Sequence, residues 1–430
     1  MALTPRAALV LLVGLFAVVI WPSGLTVRLW VLGVAVLIGL DLLLAASPKA
    51  LRFNRSPLTK VRVGETSSTE LLVTNTGRRR AQGLIRDAWQ PSAGAQGEQS
   101  RLDLPAGERT RVTTRLIPTR RGDRLADRVT IRLLGPLGVA GRQRSVHVPG
   151  TLRALHPFPA RRHIPSRLAQ LRQIDGRAAV RTRGQGTEFD SLRDYVDGDD
   201  VRSIDWRATA RRQHLVVRTW QPEQHKRIVI VLDTSRTSAG RIDDEPRLDA
   251  AMDAALLLIA LAGHARDRVE VIAGDQRVRA RVSGGLDGSM LQETITRLAP
   301  VDPEIVEADW GLLASEISRL GRRRALIVLL TPLESSAIEE GLLPVLPALL
   351  ARHRVVVASV SDPELLTLRS ARGDVEAVYA AAASERTLQL RSRTAAALTT
   401  LGVTVLDAPP DDLPLALADH YLTLKRAGLL

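Results

Sequence analysis

Two uncharged apolar stretches open the chain. Residues 7–20 carry no charged side chain, and residues 29–46 are interrupted only by Asp41. Trp21, Pro22, Ser23 and Gly24 lie between them and break the first stretch. With Trp21 and the turn, each stretch just reaches the roughly 17 apolar residues that a membrane span needs. No small-residue cleavage site ahead of a polar start marks a signal peptide. The pattern predicts two transmembrane helices, a hairpin over residues 1–50. Trp21 and Trp30 fall where interfacial aromatic anchors sit. The turn carries only Arg28, whereas Lys49, Arg52, Arg55, Lys60 and Arg62 follow the second stretch. Positive residues stay inside, so the expectation is a multi-pass plasma-membrane protein with cytoplasmic soluble domains. An intramembrane carboxylate is costly, so Asp41 calls for a partner or a water-accessible depth.

From residue 60 to 150 the period shortens to two. Residues 66–75, 109–118 and 127–135 are alternating or β-branched, and turn sequences such as Pro105-Ala106-Gly107 punctuate them. About seven strands at that spacing predict a small immunoglobulin-like β-sandwich over 51–150. Arg109, Arg111 and Arg115 occupy alternate positions, the mark of a solvated sheet face. Beyond residue 226 strands and helices alternate. Residues 227–233, 269–274, 278–283, 325–331, 355–360 and 403–406 read as strands. Residues 248–265, 288–298, 310–320, 338–350, 384–401 and 413–424 read as helices, the fourth interrupted by Pro344 and Pro347. This predicts a doubly wound α/β domain over 227–430, its mostly parallel sheet covered on both faces. Sites in such sheets form at the carboxyl ends of strands, and Asp233 lies at one.

Composition narrows the chemistry. The 430 residues include no cysteine, which removes disulfides, thiolate metal sites and thiol nucleophiles. Residues 51–150 hold 19 basic and 8 acidic side chains, residues 227–430 hold 23 and 28. A basic middle suits an anionic membrane surface or nucleic acid. Aromatics at 3% and no docking motif weigh against nucleic acid.

The loop after the first α/β strand reads Asp233-Thr234-Ser235-Arg236-Thr237. Acid, hydroxyl and hydroxyl at Asp233, Ser235 and Thr237 suit a hard divalent cation that takes oxygen ligands. The spacing resembles the metal-ion-dependent adhesion site of von Willebrand factor A domains. Domains of that type carry an aspartate after a later strand, where this chain has Pro332 and Leu333, with Glu334 the nearest acid. At most a weak Mg²⁺ site is expected. The plain alternative is that Asp233 and Ser235 cap the turn.

Residues 184–218 are the densest text in the chain. Glu188, Asp190, Asp194, Asp197, Asp199, Asp200 and Asp205 alternate with Arg193, Arg202, Arg207, Arg211, Arg212 and Arg218. Read on charge alone this is an ion-pair network around Tyr195 and Trp206, with the Trp206 ring expected in a packed core and the segment tied to the α/β domain. The string resembles the signature of the family called domain of unknown function 58. It matches at Gly184, Gly186, Glu188, Phe189, Leu192, Arg193, Tyr195, Gly198, Asp199, Arg202, Ile204, Asp205, Trp206, Arg207, Thr209, Ala210, Arg211, Leu215, Val217 and Arg218. The order of a membrane hairpin, a β-rich segment with Arg120-Arg121-Gly122 and Pro136-Leu137-Gly138, and an A-type domain is similar too. Residues 151–226 then form a signature segment leading into that domain. The resemblance implies a partner of MoxR-type AAA+ ATPases, in a chaperone-like or complex-maturation role, and no enzymatic activity. The expectation is a membrane-anchored scaffold or adaptor. A metal-dependent hydrolase built on the 188–205 carboxylates, or a basic nucleic-acid- or lipid-surface-binding module, are the alternatives.

Overall fold

The computed structural model describes residues 2–57, 60–181, 188–221, 226–284, 289–321 and 323–430. The chain divides into two compact units, residues 1–157 and 158–430.

In the first unit the apolar stretches form the helices Pro5–Ile20 and Gly24–Leu44. Ser23 caps the second by accepting the Thr26 N–H. Among the described residues one helix is long and apolar enough to cross a membrane, and Pro5–Ile20 is a shorter apolar helix. Asp41 is fully buried. Its carboxylate accepts the backbone N–H groups of Leu137 (2.9 Å), Val139 (2.8 Å) and Ala140 (2.8 Å). Gly135 permits that approach, because a Cβ there would meet the Asp41 carboxylate oxygen at 2.1 Å. Three backbone donors replace the water that an apolar helix excludes.

The strands behind the helices pair into two sheets. One runs Leu51–Arg55, Ser67–Asn75, Arg109–Leu116 and Ala95–Gln96. The other centres on Gly122–Leu134, which pairs with Ala140–Val146, Ala81–Trp89 and Thr151–Leu155. The sheet therefore continues past residue 150, the boundary drawn from sequence, because Thr151–Leu155 completes it. Alternation holds as the pattern predicts: Val112, Thr114 and Leu116 face inward and Arg109, Arg111 and Arg115 outward. Leu71 and Val73 of one sheet pack with Ile85, Val129, Ile131 and Leu133 of the other. A buried ion pair joins the sheets. Arg55 donates to both Asp87 oxygens at 2.8 and 2.6 Å and to Thr69 at 3.0 Å. Trp89 lies under the guanidinium, 5.0 Å away at its centroid.

In the second unit six strands run from one edge to the other as Val278–Ser283, Arg268–Gly274, Arg227–Asp233, Leu326–Leu330, Arg354–Val360 and Thr404–Ala408. All are parallel except Val278–Ser283. The Arg247–His264 helix covers one face, packed beside Leu413–Arg426 and Ile164–Arg181. It is buried almost all round, which explains its unbroken Ala/Leu composition. On the other face Trp310, Leu313, Leu342, Leu346 and Leu398 pack on Val229, Val231, Ile327 and Val355. Pro344 and Pro347 split the stretch expected as one helix into a turn of π-helix, Ile338–Leu342, and the short helix Leu346–Leu350. The helix expected at 384–401 starts earlier and runs Val375–Thr400, capped by Asp374.

The Arg55–Asp87 tie generates a test. Asp87→Ala leaves the Arg55 charge buried and unpaired, and should cost the sandwich about 3–5 kcal/mol in chemical denaturation. The double variant Arg55→Met, Asp87→Leu should recover most of that loss. Equal stability of single and double variants would show that the pair is immaterial.

Candidate functional site

The Arg227–Asp233 strand is buried from Ile228 onward, so Asp233 reaches the sheet's carboxyl end inside the protein, 2% exposed. One carboxylate oxygen accepts the Ser235 N–H at 2.8 Å. The other accepts the hydroxyls of Thr237 at 3.1 Å and Thr331 at 2.7 Å. Ser235 and Thr237 hydroxyls lie 3.1 Å apart. The three residues singled out by spacing are therefore together. The fourth partner, Thr331, is not marked by the loop's spacing because it lies at the end of another strand, 98 residues along the chain. Its position as the first residue beyond the buried Leu326–Leu330 strand was the available signal.

Burial pushes the Asp233 carboxyl above its ordinary range, against the stabilising hydroxyls and N–H around it. Thr234 turns away and donates to Asp275 at 2.7 Å, which also receives Arg279 at 2.9 Å. Burial raises Asp275, but these donors outweigh it and hold that carboxyl below the usual range. Arg236 pairs with Glu307, and with Glu334 at 3.5 Å. Glu334 thus faces Arg236, and none of its described contacts reaches Asp233. A cavity of about 290 Å³ opens over the loop, lined by Asp233, Ser235, Arg236, Glu307, Trp310 and Glu340.

A divalent cation fits this arrangement poorly. Both Asp233 oxygens already accept protons from neighbours, and the later strand contributes the neutral Thr331 where a carboxylate would serve a cation. Among the described residues no three acidic or imidazole side chains cluster as ligands.

The signature segment folds as a separate hairpin. Gly184 and Gly186 lie outside the described residues. Glu188 and Phe189 begin the strand Glu188–Asp194, which pairs antiparallel with Val216–Gln221. Arg193 binds both oxygens of Asp199, at 2.7 and 2.5 Å. Asp199 also accepts the Val196 N–H at 3.0 Å. Arg193 and that N–H together hold the Asp199 carboxyl below its usual range. Gly198 adopts φ +105°, which lets the turn close over Asp199. Asp200 accepts the Arg202 N–H at 3.0 Å. Asp205 caps the Trp206–Arg212 helix through the N–H groups of Arg207 and Ala208, both 3.0 Å, and pairs with Arg218 at 2.7 Å. Thr209 accepts the Val216 N–H at 3.1 Å. Tyr195 donates its N–H to Leu215, and Arg211 projects into solvent. The hydrogen bonds and ion pairs of residues 192–218 close within the hairpin among the described residues. Of the carboxylates considered for hydrolysis, Asp199 and Asp205 pair with Arg193 and Arg218, Asp200 caps a turn, and Asp194 lies 2.8 Å from His214 Nε2.

Trp206 corrects the sequence expectation. It is 66% exposed, not in a core, because it stands at the first position of a short helix whose inner side is taken by Ala208 and Thr209. Val196, Val201 and Leu215 are exposed beside it in the sequence of the same hairpin head.

Residues 191–400, a little under half of the chain, match the family model described as protein of unknown function DUF58. Uncharacterized proteins of Mycobacterium bovis and Mycobacterium tuberculosis are 31% identical over 202 residues, covering 45% of this chain and 60% of theirs. The chain thus spans about 60% of the length of these curated relatives. Among solved structures, the PapD-like domain 7 of human CEP192 is 12% identical, covering 26% of this chain and 89% of that one, with a TM-score of 0.18. The CARDB domain of a Pyrococcus furiosus protein is 16% identical, covering 24% and 89%, with a TM-score of 0.17. Scores this low assign no fold.

Two outcomes follow from the geometry. Because Asp233 is raised, it favours the protonated folded form; the stability it contributes is full in acid and is lost as pH rises above the ordinary carboxylate range. Asp233→Asn should therefore melt at or above wild type at neutral pH, with the gap closing in acid. A large loss at neutral pH would mean that the charge is required. Trp206→Ala should change stability by no more than about 0.5 kcal/mol, as exposed substitutions do. A drop of several kcal/mol would place the ring in a core after all.

Proposed function

We propose that this protein is a membrane-anchored interaction protein whose α/β unit is a von Willebrand factor A-like binding domain. The strand order supports the fold reading: a parallel sheet with a single antiparallel edge strand, and the Asp233–Thr237 loop at the carboxyl end of a central strand. The observation that carries the functional reading is the Asp233 cavity. It is an open, walled recess at the place where such sheets bind ligands, and its buried acid is already satisfied by neighbours. In this reading the recess receives part of a partner's surface. The two apolar helices pack against each other, and the basic residues after the second support a cytoplasmic side for the soluble units. A reporter fused after Leu430 is active there only if this topology holds.

The partner implied by the signature resemblance is a MoxR-type AAA+ ATPase, and the role is that of a scaffold or adaptor in complex maturation. The reading needs no bound cation. A photo-crosslinking residue at Ser336, on the cavity wall, should trap the ATPase encoded in the same genome when both are produced in native membranes. The adduct should survive a metal chelator and disappear when Ser235→Trp fills the recess. An adduct abolished by chelation would restore the cation to the mechanism. An ATPase that never crosslinks, at this or neighbouring wall positions, would remove it as the partner.

A further inference from the structure

The helix pair and the sandwich meet in one place, and its chemistry is uneven. Asp41 and the 135–140 turn hold the end of Gly24–Leu44. The start of Pro5–Ile20 is held by the same turn: Thr4 donates its hydroxyl to the Gly138 carbonyl at 2.7 Å and its N–H to the Val139 carbonyl at 3.1 Å, while Ala2 and Leu3 pair with Gly141 and Ala140. Both helix ends therefore stand on the sandwich, and the loop between the helices points away along the hairpin.

Cations gather at this base. The Arg6 guanidinium lies over Gly138, whose missing side chain (φ +67°) would fall 2.6 Å from it. Arg79 donates to the Leu43 carbonyl at 2.5 Å, at the very end of the long helix. Lys49 lies in the turn that follows, and Thr76 donates its hydroxyl to Ala50 at 2.7 Å, bringing the Arg78–Arg79 loop alongside. Arg52 is the second residue of the Leu51–Arg55 strand. Arg6, Lys49, Arg52, Arg78 and Arg79 are all exposed, and none has a carboxylate partner among the described residues. Neighbouring Arg80 is different, because Asp103 neutralises it at 2.6 Å. Apolar side chains stand among these cations: Leu137 at the tip of the turn is 49% exposed and Leu3 is 58% exposed. The opposite end of the hairpin carries Arg28 alone.

We propose that Arg6, Lys49, Arg52, Arg78 and Arg79 form a collar that binds the phosphate headgroups of acidic phospholipids. The inference rests on the reading that the apolar helix crosses a membrane. Headgroup phosphates lie at the depth where a spanning helix ends, and guanidinium groups take phosphate through paired N–H donors. Leu3 and Leu137 would enter the acyl boundary beside them, which a soluble polyanion such as nucleic acid would not reward. None of the five has a carboxylate partner among the described residues: Asp41 is buried under three N–H groups, and Asp103 and Glu108 act on neighbouring Arg80.

The test uses the full chain in bilayer nanodiscs of phosphatidylcholine with a minor share of phosphatidylglycerol, followed by gentle extraction and native mass spectrometry of the lipids that remain bound. Wild type should retain phosphatidylglycerol severalfold above its bulk share. The variant Arg6→Gln, Lys49→Gln, Arg52→Gln, Arg78→Gln should retain the two lipids near their bulk ratio. It leaves the Arg79–Leu43 contact in place, so the fold has no reason to fail; an unchanged melting temperature checks this. Arg28→Gln, at the far end, should retain wild-type enrichment. Enrichment that persists in the fourfold variant, or is absent in wild type, overturns the collar. Carbonate extraction separates this from the premise: a chain released by carbonate overturns the membrane reading, whereas an embedded chain without phosphatidylglycerol enrichment overturns only the collar.

Discussion

A carboxylate in an apolar helix persists only where something replaces water, and in the first unit that replacement organises everything nearby. Asp41 draws three N–H donors, those of Leu137, Val139 and Ala140. Those donors are available only because the chain turns sharply at Gly135–Gly138, and the turn is fixed because Gly122–Leu134 and Ala140–Val146 are paired behind it. The same turn then receives Thr4 and the first two described residues. One buried carboxyl group thus sets where the helices end, which way the hairpin points, and which side chains stand at its base. The Pro136-Leu137-Gly138 element, legible as a short motif, has a physical purpose as the cradle for that side chain.

The second unit contains a comparable carboxylate with a different settlement. Asp233 is also buried, but its donors are chiefly hydroxyls from its own loop and from Thr331. Hydroxyls stabilise a charge less than ordered backbone dipoles or an Arg would, and burial wins: the carboxyl rises. Asp275, one strand over and reached by Arg279, goes the other way. Two acids at the ends of adjacent strands therefore differ in proton affinity through their neighbours alone. The loop keeps the outline of a cation site while its donor set favours a self-satisfied acid.

Much of this architecture was readable beforehand where the pattern is local. Period-two alternation marked sandwich strands, and the apolar run at 227–233 marked a strand of a mostly parallel sheet. Prolines 344 and 347 marked the broken helix. What escaped was set by distance along the chain. The partners of Asp41 lie about 96 to 99 residues away, and Thr331 lies 98 residues from Asp233. No spacing rule connects such positions. Trp206 misled for a different reason: a large ring among charges reads as core, yet the Asp205 cap and the Thr209 bond complete the small hairpin with the ring outside.

The hairpin's pairing also bears on how such a chain can change over time. Glu188 is paired with Gln221, so the backbone leaves for the hairpin head and comes back at adjacent points. The bonds described for residues 192–218 close among themselves. A segment with neighbouring ends and self-contained bonding is exchangeable cargo: it can be lengthened, shortened or transplanted while the strands on either side keep their spacing. Selection can therefore retune this head without reopening the core of the sheet that carries it, and a head from one relative can be grafted onto another as a single piece.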